Sequence, residues 1–140
     1  FVDFVVVDDY FVFDAEKESI IVIRGRDNEV RAFYNVCTHR GSRICLDEEG
    51  SKKLLVCPYH AWSFSAEGEL KAARFMPENF KKEEWGLREC HLKIYEGLIF
   101  IEVSLKKIGP LLVSIKFVAA IFLTPFPLPI TLRIGLITSG

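Results

Sequence analysis

The sequence has little of the features that assign many proteins to a common class. It has no surplus of one charge, since 18 Lys and Arg face 19 Asp and Glu for a net charge of −1, and a nucleic-acid-binding domain would show a basic excess. Its longest uncharged stretch, residues 117–132, is 16 residues long and holds three prolines, whereas a membrane-spanning helix needs about 20 apolar residues. It shows no basic and then apolar leader at its start. We therefore expect a cytoplasmic protein that binds neither nucleic acid nor a membrane.

Acidic residues are missing from the last quarter of the chain. All 19 lie before residue 105, while residues 105–140 hold four basic residues and four of the six prolines. Such a change of composition marks a boundary. We predict one domain at residues 1–104 and a hydrophobic tail at residues 105–140, which is either a short extension or the product of a frameshift or of intron read-through. Because no initiator Met precedes Phe1, we expect a fragment or a mature piece.

Long helical periodicities are also lacking, and the first hundred residues show short β-branched and aromatic runs between turn residues. Half the residues are hydrophobic and 13% are aromatic, so the chain can bury a core. The spacing of the runs predicts a small all-β domain of antiparallel sheets. Strands are expected at residues 10–13, 19–24, 30–36, 54–56, 62–65 and 70–72, with two more between 87 and 103, and a polar loop or short helical turn at 77–86.

The four cysteines, Cys37, Cys45, Cys57 and Cys90, are not expected to form disulfides. A domain with this many apolar residues does not need covalent staples, and reduced thiols fit the cytoplasmic setting. Cys45 and Cys90 are expected to be small buried apolar side chains.

The other two cysteines each stand beside a histidine, in a chain that has only three histidines. In the first box, CTHRG, one residue separates Cys37 from His39. In the second box, CPYHAW, two residues separate Cys57 from His60. Seventeen residues lie between His39 and Cys57. Each box follows a predicted strand, so both loops can emerge at one end of a sheet. Two thiolates and two imidazoles suit a tetrahedral Zn²⁺ or a [2Fe–2S] cluster with mixed ligands. Common zinc spacings instead pair Cys with Cys and His with His.

This pattern of Cys-x-His, seventeen residues and Cys-x-x-His resembles the signature of Rieske [2Fe–2S] domains. The resemblance implies that Cys37 and Cys57 bind the inner iron of a cluster and that His39 and His60 bind the outer iron. Neutral imidazoles in place of two thiolates make the cluster less negative and raise its potential into a range of roughly −150 to +300 mV. Gly41 suits the tight first loop, where the backbone must pass close to the cluster.

Within that family, the chain resembles the α subunit of Rieske non-haem iron oxygenases. Rieske proteins of respiratory and photosynthetic cytochrome complexes carry an extra Cys in each box, joined as a disulfide, where this chain has Ser42 and Tyr59. The resemblance to the oxygenases covers residues 9–103 and includes the words RAFYNVCTHRGSRIC, CPYHAWSF and EGLIFI. It is most similar to oxygenases of quaternary ammonium compounds, such as glycine betaine, choline and carnitine monooxygenases.

The resemblance implies an electron relay rather than a complete oxygenase. In that family, oxygen is activated at a mononuclear Fe(II) held by two His and one carboxylate in a separate catalytic domain. The cluster passes electrons to that iron from a reductase or ferredoxin, usually into the neighbouring α subunit, which implies a homo-oligomer. His91 is the one histidine outside the two boxes. Since one histidine cannot build the catalytic iron site, this polypeptide alone is not expected to oxygenate a substrate.

Two other functions fit the same residues. A stand-alone Rieske ferredoxin would carry electrons to a separate oxygenase and would be a carrier rather than an enzyme. A structural zinc domain would bind one metal ion and would be colourless.

Four residues other than the predicted ligands carry secondary expectations. Arg40 and Arg43 either steer an acidic partner or are ordinary solvated charges. Trp62 either covers the second box or is simply a core aromatic. His91, in a strand pattern, is expected to have a structural or surface role.

Overall fold

The computed structural model of the protein describes residues 6–15, 17–95, 98–104 and 116–122. Regular structure in these residues is β, apart from one short 3₁₀ helix, and every strand pair for which a register is defined is antiparallel. The strands are β1 (Asp9–Ala15), β2 (Glu18–Arg24), β3 (Val30–Tyr34), β4 (Glu49–Ser51), β5 (Leu55–Val56), β6 (Ser63–Phe64), β7 (Leu70–Ala72), β8 (Glu89–Tyr95), β9 (Leu98–Ser104) and β10 (Lys116–Phe122), and the 3₁₀ helix is Lys82–Trp85. The predicted all-β fold of antiparallel sheets is confirmed.

Each predicted strand is found near its expected position, and two strands were not predicted. The first of these, β4, has the sequence Glu-Gly-Ser and is fully exposed, so it carries no apolar pattern. The second, β10, lies in the predicted tail and pairs with β9. The rest of the tail, residues 105–115 and 123–140, lies outside the described residues.

The chain divides into two compact units, one ending at Glu89 and the other beginning at Cys90. In the first unit, β1 pairs with β2 on one side and with β4 on the other, and β2 also pairs with β3. The run Ile20–Ile23 of β2 is at most 1% exposed. A strand with paired neighbours on both sides and both faces covered has no polar alternation, which explains this continuous apolar run.

A second, small sheet of the first unit carries the later part of the core. It has the order β5-β6-β7, and the shortness of its strands makes it depend on packing rather than on its own ladder. Leu55, Trp62 and Phe64 from this sheet and its entry loop are at most 1% exposed and belong to one buried cluster with Ile21 and Phe33 of the first sheet. Cys37, Cys45 and Cys57 belong to the same cluster. The two boxes therefore stand directly on the core.

The second unit contains β8, β9 and β10, with β9 pairing to both of the others. Ile99 and Ile101 of β9 are fully buried. In the part of the chain that the structure describes, no helix is long and apolar enough to cross a membrane.

The turn between β6 and β7 depends on a glycine. The Ser65 amide donates to the Glu69 carbonyl at 2.9 Å and the Gly68 amide donates to the Ser65 carbonyl at 2.9 Å. This pair of hydrogen bonds requires a left-handed backbone conformation in the turn, and Gly68 supplies it with φ of +85°. A Cβ at this position would lie 2.5 Å from the ring of Phe33. The Gly68 carbonyl also accepts the Leu87 amide at 2.7 Å.

We expect the substitution Gly68→Ala to lower the free energy of unfolding by about 2 kcal/mol or more, because it adds backbone strain to overpacking against Phe33. The control is Gly41→Ala, where φ is also positive, at +75°, but a Cβ would meet nothing within 4 Å. Urea denaturation of both variants measures the difference. Equal losses of stability would show that the contact with Phe33 contributes nothing.

Candidate metal centre

The two boxes form loops with the same backbone hydrogen-bond pattern. In the first, the Cys37 amide donates to the Ser42 carbonyl at 2.7 Å and the Gly41 amide donates to the Cys37 carbonyl at 2.9 Å. In the second, the Cys57 amide donates to the Trp62 carbonyl at 2.8 Å and the Ala61 amide donates to the Cys57 carbonyl at 3.0 Å. Each loop therefore reverses over six residues with its cysteine at the first position.

The fifth position of each loop has a left-handed backbone. Gly41 has φ of +75° and Ala61 has φ of +57°. Glycine adopts this conformation without a steric penalty, whereas alanine does so at a cost of roughly 1 kcal/mol. Gly41 therefore suits the turn of the first loop, and the second loop reaches the same backbone conformation with a strained residue.

The structure brings the four predicted ligand residues together in two like pairs. Cys37 and Cys57 are each 2% exposed and their thiols are within hydrogen-bonding reach of one another. The rings of His39 and His60 are half-buried and meet edge to face, with 4.7 Å between centroids and 68° between planes. Each pair takes one residue from each loop.

The donor atoms fit a cluster in which each iron takes two protein ligands. Nδ1 of His39 is buried and has no hydrogen-bond partner, although buried polar atoms are nearly always paired. The backbone amides of His39 and Arg40 donate to the sulfur of Cys37, an arrangement that favours a thiolate. Within the described residues, no three Cys, His, Asp or Glu side chains converge as ligands of a single metal ion. A [2Fe–2S] cluster with two Cys and two His ligands needs only two donors at each iron.

Burial is the main influence on the pKa values of Cys37 and His39. It raises the pKa of the Cys37 thiol to about 11, with a further contribution from the Cys57 thiol and an opposing one from the His39 amide. Loss of solvent around the imidazole, followed by the charges of His60 and Arg40, lowers the pKa of His39. A neutral imidazole is the form that binds a metal. A metal cation bound to the Cys37 sulfur would release to solvent the thiol proton that burial alone would retain.

Aromatic side chains cover both histidines. The ring of Trp62, 1% exposed, stacks on His39 with 4.6 Å between centroids and 7° between planes. The ring of Tyr59, 62% exposed, lies 3.9 Å from that of His60. Trp62 is thus both a core aromatic and a cover, but it covers the histidine of the first box rather than that of the second.

The remaining predicted residues lie as follows. Arg40 is exposed, while Arg43 forms an ion pair with Asp14. A hydrogen bond from the Ser19 hydroxyl, and after it the bond from Arg43, lowers the pKa of the Asp14 carboxyl. Cys45 and Cys90 are buried, as predicted, and burial raises the pKa of Cys45 to about 11. His91 is exposed on β8.

Asn35 is a site residue that sequence reasoning missed. It is 1% exposed and lies two residues before the first box. Its side-chain amide donates to the Cys45 carbonyl at 2.8 Å and to the Ser19 hydroxyl at 3.1 Å, and its oxygen accepts the amides of Ile44 and Cys45 at 3.1 and 2.9 Å. It therefore joins the two ends of the first loop. A polar residue ending an apolar strand was the available signal.

We expect Asn35→Ala to lower the free energy of unfolding by about 2–4 kcal/mol, because it leaves two amides and a carbonyl buried without partners. Ser19→Ala is the control, since it removes only one of the four Asn35 bonds, together with the hydrogen bond between the Ser19 hydroxyl and Asp14. The measurement is urea denaturation at constant pH. Equal effects of the two substitutions would contradict a central role for Asn35.

We expect Ala61→Gly to raise the free energy of unfolding by up to about 1 kcal/mol, since it relieves left-handed strain that exceeds the added freedom of the unfolded chain. Gly41→Ala at the equivalent position should act in the opposite direction. Thermal and urea denaturation of the two variants check the pair, and a loss of stability in Ala61→Gly would refute it.

Comparison with known proteins agrees with this geometry. The chain matches the Rieske [2Fe-2S] domain family over residues 3–96. It is 44% identical over 89 residues to the glycine betaine monooxygenase oxygenase subunit of Pseudomonas aeruginosa, covering 63% of this chain and 21% of that protein. It is 41% identical over 98 residues to the carnitine monooxygenase oxygenase subunit of Escherichia coli, covering 69% and 26%.

A solved structure shows the same relationship. The apo form of the quaternary ammonium Rieske monooxygenase CntA superposes with a TM-score of 0.65 and 39% identity, covering 71% of this chain and 29% of that one. The chain thus spans between a fifth and a third of the length of these relatives, and it matches their N-terminal part. By the extent of the family match and by the paired Cys and His loops, the chain belongs to the Rieske [2Fe-2S] domain family.

Proposed function

We propose that this chain is the electron-relay domain of an oxygenase subunit and that Cys37, His39, Cys57 and His60 hold its [2Fe–2S] cluster. The observation that carries the proposal is the meeting of the two loops, which pairs Cys37 with Cys57 and His39 with His60. The two cysteines hold the inner iron and the two histidines hold the outer one. Such a cluster supplies one-electron transfer at a potential of roughly −150 to +300 mV.

The cysteines, the histidines and Trp62 have different roles in such a centre. Cys37 and Cys57, buried on the core, hold their iron away from solvent. His39 and His60 are half-buried, so their edges offer electrons the shorter route to a partner. Trp62 fixes the plane of the His39 ring by stacking on it and excludes water from that face.

The expected partners are a reductase or ferredoxin as electron donor and, as acceptor, a mononuclear iron in the catalytic domain of a neighbouring copy. The named relatives are oxygenase subunits, which favours this role over a stand-alone ferredoxin. Residues 1–104 constitute the relay domain, in support of which the family match spans residues 3–96. Four free cysteines support a reducing, cytoplasmic setting.

A quaternary ammonium compound is the proposed substrate class of the complete oxygenase. Support comes from the names of the glycine betaine and carnitine monooxygenase relatives and of CntA. The coding sequence that follows residue 104, read in a corrected frame, tests the oxygenase role on which this substrate class depends. A downstream pattern of two His and one carboxylate is expected, and a natural gene without it would overturn the oxygenase role.

The cluster itself is tested on the purified protein. We expect a reddish-brown protein with two irons and two labile sulfides, and an EPR signal on reduction with an average g below 2. We expect His39→Cys and His60→Cys each to lower the reduction potential, because a thiolate adds negative charge to the centre. His91→Cys, at an exposed position on β8, is the matched control and should change nothing. A colourless protein with one zinc ion, or potentials unmoved in both ligand variants, would refute the assignment.

A further inference from the structure

The segment between β7 and β8 contacts both cluster loops, although its sequence predicts an exposed polar loop. Phe80 and Trp85 in this segment place their rings against Trp62, each with 5.6 Å between centroids and at interplanar angles of 67° and 77°. They also contact one another, with 5.6 Å between centroids. Since Trp62 closes the second loop through its carbonyl, these two rings pack on that loop.

The same segment is bonded to the first loop. The hydroxyl of Thr38, between the ligands Cys37 and His39, donates to the Trp85 carbonyl at 2.8 Å. This bond joins residues 47 positions apart in the chain. One residue, Trp85, therefore contacts the first loop through its backbone and the second through its ring. We call residues 80–85 the clasp.

The clasp is itself attached to the core. Phe80 packs against the main hydrophobic cluster, and its amide closes a turn onto the Pro77 carbonyl at 3.0 Å. Just after the clasp, Leu87 is 8% exposed and its amide donates to the Gly68 carbonyl at 2.7 Å. Both ends of the clasp are thus held by the packed part of the first unit, so it can resist movement of the loops.

We propose that the clasp sets the separation of the two cluster loops and that Thr38, Phe80 and Trp85 are positioning residues for the cluster. The inference rests on the proposed function, in which each iron takes one ligand from each loop. Under that assignment, any spreading of the loops stretches the ligand sets of both irons at once. A contact that spans the two loops therefore stabilises ligand geometry in a way that a contact within one loop cannot.

The test uses the cluster-loaded protein and the variants Thr38→Val, Thr38→Ser and Trp85→Ala. Thr38→Val keeps the shape of the side chain but removes the donor, while Thr38→Ser keeps the donor. The matched control is Phe75→Ala, which removes an aromatic ring just before the clasp that is 99% exposed. The readouts are the rate at which excess chelator bleaches the visible absorbance and the line width of the EPR signal of the reduced cluster.

We expect Thr38→Val to lose the cluster about fivefold faster, as corresponds to one hydrogen bond of about 1 kcal/mol, and Trp85→Ala about tenfold faster or more. Both should broaden the EPR lines, because the ligand geometry becomes heterogeneous. Thr38→Ser and Phe75→Ala should match the wild-type protein in both readouts.

Three results would overturn the proposal. One is cluster loss from Thr38→Val and Trp85→Ala at the rate of Phe75→Ala. Another is faster loss with unchanged line widths, which would indicate general destabilisation rather than positioning. The third is a wild-type protein that binds no [2Fe–2S] cluster. Of the three results, only this one would also refute the proposed function.

Discussion

The structure depends on two short loops that reverse in the same way. Each closes with a backbone hydrogen bond between its first and sixth residues and contains a second backbone hydrogen bond within that span. The first residue of each loop is a cysteine. Because both cysteines are buried in the main hydrophobic cluster, the core of the first unit fixes their positions. Three further features hold these loops side by side: the sheets, the Asn35 hydrogen bonds and the aromatic side chains that cover the histidines. That juxtaposition brings two cysteines together in the core and two histidine rings together beside them.

The candidate ligands of the site could be proposed from sequence, but the contacts that support their loops could not. Cys37, His39, Cys57 and His60 are conspicuous because they are scarce residue types at short spacing. The hairpins were predictable for a similar reason, since β-branched runs such as Ile20–Ile23 alternate with polar turns. By contrast, the hydrogen bond from Thr38 to Trp85 joins residues that are distant in the sequence, and no periodicity of the sequence predicts it. Strand β4 was missed because its three exposed residues carry no apolar signal.

Electron relay and oxygen activation make different physical demands on an iron site. An electron relay needs a fixed, largely dehydrated centre, whereas oxygen activation needs an iron with open coordination positions for its substrate. These demands conflict within one small core, and separate domains satisfy both. The present chain, which matches between a fifth and a third of the relatives it was compared with, carries the residues for the first demand.

The matching backbones of the two loops conceal unlike surroundings. His39 has the flat face of a buried indole beside it and His60 has a tilted, solvent-exposed phenol, while the left-handed position is glycine in one loop and alanine in the other. A loop grafted from one site to the other would keep its hydrogen-bond pattern and lose its neighbours. The two loops thus share a backbone conformation but not the surroundings of their histidines. A redesign of this centre must therefore consider the neighbours of each imidazole separately.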